Sequence, residues 1–416
     1  LVNTLSKFHE DMRTWRHRFH ANPELGFEEA ATSKFIASKL AEFGYEVHTG
    51  IGGTGVVGKL KCGTSNRAIG LRADMDALPV EEANGFEHKS TSQGVMHACG
   101  HDGHAASLLG AAQYLAETRN FDGTAVLIFQ PAEELLTGAK AMIADGLFER
   151  FPVEAVFGYH NSPSLPVGSY SLRAGATLSG CSRFDIRIEG KGGHSAHPDK
   201  CVDPVMIACH ICVALQTVVA RTLPAIAAGV VSVTRIEGGD AYNVIPSEVG
   251  MAGTIRGFEA ENIQLIKDSM TRIVTHVAES FGGRGEIDFF ADCVPLYNDP
   301  AETDFARTVL HEIADPSLTI EMETPRMGTE DFAFMLDAAP GCYVFIGNKD
   351  ETHTEMVHHP AYDYTLAGAL IDSSNVALSK FGDMVSDQQR YDELVKFGVG
   401  SKTAIDFPGE ASGIIH

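Results

Sequence analysis

The fold class is decided by the stretch Thr124-Ala125-Val126-Leu127-Ile128-Phe129-Gln130-Pro131-Ala132-Glu133-Glu134. Its apolar part consists of β-formers and is typical of a buried strand, which the proline ends. Glu133 and Glu134 therefore follow the carboxyl end of a strand, where open α/β sheets place their reactive groups. Neighbouring side chains in extended backbone point to opposite sides, so we expect one carboxylate to bind a metal ion and the other to take a proton from water. A solvated acidic pair is the competing interpretation when the pair is taken alone.

A second stretch, His97-Ala98-Cys99-Gly100-His101-Asp102-Gly103-His104, carries further metal-ligand types. An alanine- and leucine-rich helix pattern from Gly103 to Glu117 places these residues at a loop-to-helix junction. Thiolate, imidazole and carboxylate ligands suit zinc or a similar transition ion, whereas calcium and magnesium prefer oxygen ligands. Together the two stretches predict a metal-dependent hydrolase.

The other patterns predict an α/β protein of two units. Around the two stretches, amphipathic helices alternate with short apolar strands, which indicates α/β layers. Between 179 and 293 the predicted order is β-α-β-β-α-β, that of a ferredoxin-like sandwich, and its position indicates an insertion. We therefore predict a catalytic domain with a mixed sheet flanked by helices at 1–178 and 294–382, and an inserted α+β domain at 179–293. Residues 383–416 form a C-terminal extension for which the sequence indicates no role.

Composition limits the classes of protein and of partner. The chain has 416 residues, 44% of them apolar, which is enough for a large core and more than one core usually serves. Its formal charge of −23 argues against nucleic acid and anionic membranes as partners. No unbroken run of eighteen apolar residues is present, so no transmembrane helix is predicted.

The cysteines indicate reduced thiols. Eight of them are scattered through the chain without the density of a disulfide scaffold, which predicts a cytoplasmic location. Cys209 and Cys212 have the CxxC spacing of redox and zinc motifs, but they lie in an apolar helix pattern. We therefore predict that they are buried helix cysteines.

The order of several motifs resembles one family, the co-catalytic metal amidohydrolases of the aminoacylase and carboxypeptidase superfamily. Besides the two stretches above, the resemblance is carried by Arg72-Ala73-Asp74-Met75-Asp76-Ala77-Leu78-Pro79, Gly192-Gly193-His194-Ser195-Ala196, Asn243-Val244-Ile245-Pro246, Gly253-Thr254-Ile255-Arg256, Met327-Gly328-Thr329-Glu330-Asp331-Phe332 and Val357-His358-His359-Pro360. These motifs are similar to those of the branch that holds hippurate hydrolases and indoleacetyl-amino acid hydrolases. The resemblance implies a zinc-peptidase-like catalytic domain, and it implies that the inserted domain is a lid or dimerisation domain.

The resemblance also implies a site with two divalent metal ions. Zinc is expected, with manganese, cobalt and nickel as alternatives. The implied ligands are Cys99, His101, Glu134, His160 and His358. Glu133 is the expected general base and later acid. His194 resembles the histidine that contacts the developing oxyanion, while Asn243, Arg256 and Gly328 resemble groups that bind the substrate.

Some assignments around the ligands stay open. His97 and His104 are alternative ligands or orient the site by hydrogen bonds. His358 is preferred to His359 because the family's histidine stands two residues before the proline. Carboxylates expected to support the ligands are Asp74, Asp76 and Asp102. Loop capping is the alternative interpretation of these three aspartates.

The leading functional hypothesis is hydrolysis of an N-acyl amino acid, a small-molecule amide, to a carboxylic acid and a free amino acid. An exopeptidase acting on dipeptides is the alternative among hydrolases, and a catalytically silent metabolite-binding relative is the alternative outside them. By analogy with the family, a homo-oligomer, either a dimer or a tetramer, is expected through the inserted domain.

Overall fold

The computed structural model describes residues 6–313 and 316–366, and its larger sheet is mixed and has eight strands. In spatial order the strands are Glu46–Ile51, Gly55–Cys62, Gly123–Gln130, Ala68–Asp74, Ala155–Pro166, Gly341–Lys349, Tyr170–Leu172 and Thr319–Glu321. The first three pair antiparallel, whereas the third to the sixth run parallel to one another. The parallel strands bring their carboxyl ends to one edge of the sheet.

Helices cover both faces of this sheet. They are His9–Ala21, Ala30–Glu42, His101–Thr118, Gly138–Ala144, Leu147–Arg150, Pro300–Ile313 and Ala333–Ala338, with 3-10 turns at Ser6–Phe8 and Pro316–Leu318. The sequence also has a helical pattern at 3–20, of which the α-helix contains His9 onward, and the helix predicted from Gly103 begins two residues earlier. Two further helical patterns of the sequence, at 366–381 and at 387–397, lie almost wholly and wholly outside the described residues, respectively.

The strand Gly123–Gln130 is buried along its whole length because both of its faces meet a helix layer. Leu127 and Phe129 point into one apolar cluster, while Val126 and Ile128 point into a second cluster on the opposite face. Full burial of such a side chain contributes about 1.5–3 kcal/mol. The structure therefore confirms the predicted buried strand and the α/β fold with a mixed sheet flanked by helices.

Residues 180–293 build a separate antiparallel sheet of four strands. In spatial order the strands are Gly229–Glu237, Glu248–Gly257, Gly180–Glu189 and Arg284–Cys293. The helices Pro204–Arg221 and Ala260–Ser280 contribute to its own apolar core. Their order along the chain is β-α-β-β-α-β with the fourth strand beside the first, as the ferredoxin-like interpretation requires.

Three short elements lie in this region and at its junction with the larger sheet. They are the ladder of Gly193–His194 with Val244–Ile245, the 3-10 turn Pro198–Lys200, and the ladder of Gly175–Leu178 with Leu296–Asn298. The chain changes sheet at Gly180 and again after Cys293, near two of the predicted domain boundaries. The divisions 1–178, 179–293 and 294–382 stay predictions, and 383–416 lies outside the described residues.

The helix Pro204–Arg221 has the length and mean hydropathy, 1.6, that would allow it to cross a membrane. The sequence criterion missed it because polar residues such as His210 and Gln216 interrupt the apolar run. Its buried side chains pack in the core of the four-stranded sheet and are Ile207, Ala208, Ile211, Leu215 and Val218. That packing accounts for its apolar character as the core helix of a folded domain.

The CxxC pair of this helix does not lie where the sequence predicted. Cys209 is exposed and Cys212 is half-buried, so the prediction of two buried cysteines is wrong. The physical reason is helical period: the spacing that turns Ile207, Ile211 and Leu215 inward turns Cys209 outward.

Candidate metal centre

The predicted ligands gather at the carboxyl ends of the parallel strands. Asp74 ends one strand, Glu133 and Glu134 follow the next, and His160 lies on the third. Cys99 stands two residues before the helix His101–Thr118. This is the sheet edge at which the sequence predicted the chemistry.

Two glycines shape the loop that holds Cys99. Gly100 has a φ of +94°, and a Cβ there would lie 2.7 Å from the Asn161 Oδ1. A Cβ on Gly103 would lie 2.4 Å from the ring of Tyr364. Only glycine therefore allows the turn and the close approach that set Cys99 beside His160.

The loop of the two glutamates is fixed by hydrogen bonds to buried carboxylates. Its backbone is left-handed at Ala132, with a φ of +51°, which is uncommon for a residue with a side chain. The Ala132 N–H donates to Glu29 Oε1 at 2.9 Å, and the Glu134 N–H donates to Asp76 Oδ2 at 3.0 Å. These bonds hold the strained turn.

Five predicted ligands supply two overlapping groups of donor atoms. The groups are Cys99 with His101 and His160, and Cys99 with Glu134 and His358, each with donor atoms within 4.8 Å of one another. Cys99 Sγ lies 3.3 Å from His160 Nε2, and His358 Nε2 lies 3.4 Å from Glu134 Oε1. Two adjacent groups of three donors fit two divalent metal ions.

Hydrogen bonds at the outer nitrogens of two predicted ligand histidines leave their Nε2 atoms facing these groups. His101 Nδ1 lies 3.0 Å from the Asp76 carbonyl oxygen and 3.1 Å from its Oδ1, so this nitrogen carries the proton. His101 Nε2 is buried and has no hydrogen-bond partner among the described residues. His160 Nδ1 likewise donates to the Asn161 carbonyl oxygen at 2.7 Å. This arrangement of outer hydrogen bonds is typical of histidines that bind metal.

The local charges also fit a bound cation. Burial raises the pKa of the Cys99 thiol, and the Glu134 and Glu133 carboxylates raise it further. Burial would lower the pKa of His101, but Asp74 and Asp76 outweigh burial and raise it to about 10. Metal binding requires the thiolate and the neutral imidazole, so divalent ions would replace these protons and balance the carboxylates.

The two neighbouring histidines of the last motif point to different partners. His358 has a φ of +69°, and its N–H donates to the Ala98 carbonyl oxygen at 2.7 Å. His359 Nδ1 instead accepts from the Ala361 N–H and lies 3.4 Å from Glu355 Oε2. The geometry therefore places His358, as preferred from the sequence, beside Glu134.

His104 and His97 have different surroundings. His104 Nδ1 lies 2.6 Å from Asp74 Oδ1 and its Nε2 lies 2.6 Å from Asn161 Oδ1, so hydrogen bonds occupy both nitrogens. His97 is buried with no hydrogen-bond partner for either nitrogen among the described residues. Burial lowers its pKa to about 3. His104 thus supports the site, whereas His97 belongs to neither ligand group.

The three predicted supporting aspartates have separate roles. Asp76 contacts His101, and Asp74 contacts His104 and Arg72. Asp102 lies one residue from a ligand but contacts Arg16 and His20, both at 2.9 Å. Asp102 therefore anchors the N-terminal helix to the helix of His101, and does not contact a predicted ligand.

A buried arginine below the site was not assigned a role from the sequence. Arg72 donates to Gln130 Oε1 at 2.8 Å, to Asp74 Oδ2 at 2.7 Å and to Glu330 Oε1 at 2.7 Å. Glu330 and Asp331 also form a group with Glu133 within 4.8 Å. Arg72 therefore joins a supporting aspartate to the distant motif whose carboxylates lie beside the base Glu133. A charged residue inside an apolar strand pattern was the available signal.

The residues predicted to contact the substrate form two groups. His194 and Asn243 lie on the inserted domain, and Arg256 and Gly328 lie where that domain meets the rest of the chain. His194 pairs with Val244 on the small exposed ladder, where the Ser195 N–H donates to the Asn243 carbonyl oxygen. Arg256 Nη1 donates to the Met327 carbonyl oxygen at 2.6 Å, beside Gly328. In the described part of the chain, no group of metal-ligand atoms includes His194.

Replacing Cys99 with alanine is expected to weaken metal binding at least about 100-fold, because loss of an outer hydrogen-bond partner alone costs 10- to 100-fold. Titration of metal-free protein with zinc against a competing chelator measures the change. Cys62→Ala is the matched control, since that half-buried thiol donates to the Arg119 carbonyl oxygen elsewhere. Equal zinc affinities of the two variants would exclude Cys99 from the ligands.

Comparison with known proteins identifies the family. Residues 70–375, well over half of the chain, match the peptidase family M20/M25/M40. The chain belongs to this family. The predicted resemblance to metal amidohydrolases is thereby confirmed, as is the placement of the enzyme among metal-dependent hydrolases.

Curated relatives in family M20/M25/M40 match most of this chain. Hippurate hydrolase of Campylobacter jejuni is 40% identical over 87% of this chain and 94% of the relative. Thermostable carboxypeptidase 2 of Saccharolobus solfataricus is 40% identical over 84% of this chain and 90% of the relative. IAA-amino acid hydrolase ILR1-like 4 of Arabidopsis thaliana is 39% identical over 84% and 80%, respectively.

A solved structure supports the fold. A dinuclear metal binding peptidase from family M20 of Bacillus subtilis is 33% identical and superposes with a TM-score of 0.77. The match covers 90% of this chain and 99% of that one. The fold of the M20/M25/M40 family thus extends over nearly all of the described residues.

The C-terminal stretch also matches a second protein family. Residues 345–416 match the penicillin binding protein transpeptidase domain, and this match overlaps the M20/M25/M40 match at 345–375. It includes the extension 383–416, for which the sequence patterns indicated no role. Most of the matched stretch lies outside the described residues, so the structure adds nothing about it.

Proposed function

We propose that this chain hydrolyses the amide bond of N-acyl amino acids and releases a carboxylic acid and a free amino acid. The position of Glu133 carries the proposal: its Oε2 lies 4.0 Å from His101 Nε2, in one group with Glu134. A protein that only binds metabolites has no need of a buried base at this position. The names of the relatives, hippurate hydrolase and IAA-amino acid hydrolase, favour amides of amino acids as substrates.

Glu133 is the proposed proton carrier. It takes a proton from the attacking water and returns it to the nitrogen of the departing amine. Burial and the neighbouring Glu330 and Glu134 carboxylates hold the pKa of Glu133 well above its usual range, which favours retention of the proton between the two steps. When bound, two divalent ions would lower the pKa of water and polarise the scissile carbonyl.

The proposed metal ions are zinc, held by Cys99, His101, Glu134, His160 and His358. A thiolate with imidazoles and carboxylates suits zinc, and manganese, cobalt and nickel are the alternatives. The supporting observations are the two donor groups and the unpartnered His101 Nε2.

His194 and Asn243 are proposed to act after the inserted domain closes over the site. Both lie at the exposed ladder of that domain, and His194 is in neither ligand group. Closure would bring the imidazole to the oxyanion that forms on the scissile carbonyl and would exclude water.

Arg256 is the proposed partner of the substrate carboxylate. Its Nη1 is anchored by the Met327 carbonyl oxygen and by Thr329 Oγ1 at 2.9 Å, which orients the planar fork beside Gly328. Arginine suits this role because two parallel hydrogen bonds match a carboxylate.

Replacing Arg256 with alanine is expected to raise KM for N-acyl amino acids roughly 10- to 100-fold, the value of one charge-assisted hydrogen bond or slightly more. KM for the corresponding amino acid amides is expected to change little, because the amide lacks the negative charge. Steady-state kinetics on matched acid and amide pairs measures the difference. Arg235→Ala is the control, since this exposed arginine of the same sheet pairs with Glu237. Equal effects of Arg256→Ala on acid and amide would contradict a carboxylate partner.

An exopeptidase is the second candidate, favoured by the similarity to thermostable carboxypeptidase 2. A dipeptide is itself an amide of an amino acid with a free carboxylate, so the same groups serve both reactions. The two candidates differ in whether the acyl side carries an amino group.

One experiment tests both candidates. Release of free amino acid is measured from N-acyl amino acids and dipeptides with protein stripped of metal and then supplied with zinc, manganese, cobalt or nickel. Metal-restored cleavage of the N-acyl amino acids supports the proposal, and preferential cleavage of dipeptides supports the exopeptidase. Bound metal without cleavage of either class would indicate a silent binding relative.

The inserted domain is the proposed site of self-association into a dimer or tetramer. Its edge strand Gly229–Glu237 pairs on one side only, with Glu248–Gly257, among the described residues. The neighbouring helix exposes Val213 and Met206, 71% and 49% of their surface, respectively.

A cytoplasmic location is also proposed. Eight free cysteines in the described part of the chain support a reducing, cytoplasmic location.

A further inference from the structure

Arg326 is a half-buried arginine for which the described residues provide no carboxylate partner. Its Nη1 donates to Ser162 Oγ at 3.2 Å, and its guanidinium lies 4.4 Å from the centre of the Phe345 ring. No aspartate or glutamate of 6–313 or 316–366 forms an ion pair with Arg326, and no carboxylate contributes to the shift of its pKa. Burial lowers its pKa, as expected for a desolvated cation without a counter-ion.

The position of Arg326 relates it to the metal centre. Ser162 stands two residues after His160 on one strand, and alternate residues of a strand share a face. Phe345 lies directly opposite His160 in the parallel pair, with ring centres 6.5 Å apart. The guanidinium therefore rests on the aromatic ring that also contacts a predicted metal ligand.

The backbone around Arg326 is held in place. The Arg326 N–H donates to the Thr177 carbonyl oxygen at 3.0 Å, and its own carbonyl oxygen accepts from the Ser179 N–H at 3.1 Å. One residue further, the Met327 carbonyl oxygen accepts from Arg256. Two arginines thus flank one short segment, Arg326 on the side of the metal centre and Arg256 on the side of the inserted domain.

We propose that Arg326 is a specificity-determining residue that binds a carboxylate of the substrate, either a second carboxylate or, together with Arg256, the α-carboxylate. The inference rests on the proposed amide hydrolysis. A half-buried guanidinium without a protein counter-ion gains more from a bidentate anion than an exposed one does, because part of its solvation is already lost. The aromatic ring below it fixes the plane of the fork by cation–π contact, and Ser162 fixes its direction.

The carboxylate bound by Arg326 can be that of a substrate side chain or the α-carboxylate. Two pairs of test compounds, each a charged compound and its neutral amide, distinguish them. N-acetylglutamate against N-acetylglutamine tests a side-chain carboxylate, and N-acetylmethionine against its amide tests the α-carboxylate. We expect wild-type kcat/KM to favour the charged member of at least one pair tenfold or more. Arg326→Met is expected to reduce that ratio at least tenfold, mainly through KM, and Arg326→Lys to restore part of it.

Arg18→Met is the matched control, since Arg18 lies 4.6 Å from the Phe35 ring on the N-terminal helix, away from the site. The inference is overturned if Arg326→Met leaves both ratios at the wild-type value. The inference is also overturned if Arg326→Met lowers kcat/KM by the same factor for all four substrates, because that result indicates a structural role.

Failure of the proposed function appears differently, as wild-type protein that cleaves none of the four compounds. In that case the same pairs are compared by isothermal titration with zinc-loaded protein. Arg326→Met must then weaken binding of a charged member at least tenfold relative to its neutral partner, and equal binding by wild type and variant overturns the inference.

Discussion

Glu133→Gln is expected to lower kcat by roughly 100- to 10,000-fold, the usual contribution of a general acid–base group. Glutamine keeps the shape of the side chain but cannot accept the proton from water. The metal content is expected to stay unchanged, because Glu133 is not among the five predicted ligands and its carboxylate also lies beside Glu330 and Asp331, away from Cys99 and His358. Stopped-flow or steady-state kinetics with parallel metal analysis measures both quantities.

Glu134→Gln is the matched contrast at the adjacent position. Glu134 belongs to the donor group with Cys99 and His358, so this variant is expected to lose metal affinity as well as activity. A Glu133→Gln protein that keeps a near-normal kcat would show that another group is the base. Loss of metal by Glu133→Gln would instead move this residue among the ligands.

Arg72→Met is expected to destabilise the fold by about 3–5 kcal/mol, the cost of removing one partner from a buried ion pair. The variant leaves three buried carboxylates without their cation: Asp74, Glu330 and Asp331 lie 2.7, 2.7 and 3.5 Å, respectively, from the guanidinium nitrogens of Arg72. Because whole domains are stable by only about 5–15 kcal/mol, a large drop in the midpoint of thermal or urea unfolding is expected.

Arg67→Met is the control for the loss of an arginine near the same strand. Arg67 pairs with Glu154 at 2.9 Å, but both side chains are more than 40% exposed. An exposed pair contributes at most about 1 kcal/mol, so this variant should unfold close to wild type. Equal midpoints for Arg72→Met and Arg67→Met would contradict a stabilising role of the buried network.

Local sequence patterns were sufficient to predict the helices and strands and the types of metal ligand. The apolar run before Pro131 predicts a strand, and the structure contains it with both faces buried. The β-α-β-β-α-β order likewise predicts the four-stranded sheet of the inserted region. Such predictions succeed because period and turn residues act over a few neighbouring positions.

Predictions of where a side chain points were less complete. Cys209 is exposed although its helix is apolar, because only one face of that helix meets the sheet. Asp102 lies within the ligand motif, yet the helix turns it toward Arg16. The sequence names the residue in each case, but packing decides where its side chain points.

The sequence by itself determined the α/β class, the ferredoxin-like order, the family and the donor types that suit divalent metal. These properties follow from residue type and local spacing, which the chain carries without its fold. Only the tertiary structure decided which nitrogen of His101 faces the ligand group, that Arg72 pairs with Glu330, and that Arg326 lies beside the strand of His160. The physical reason is that such contacts join residues up to 258 positions apart along the chain, and their geometry is set by the packing of strands and loops from distant segments.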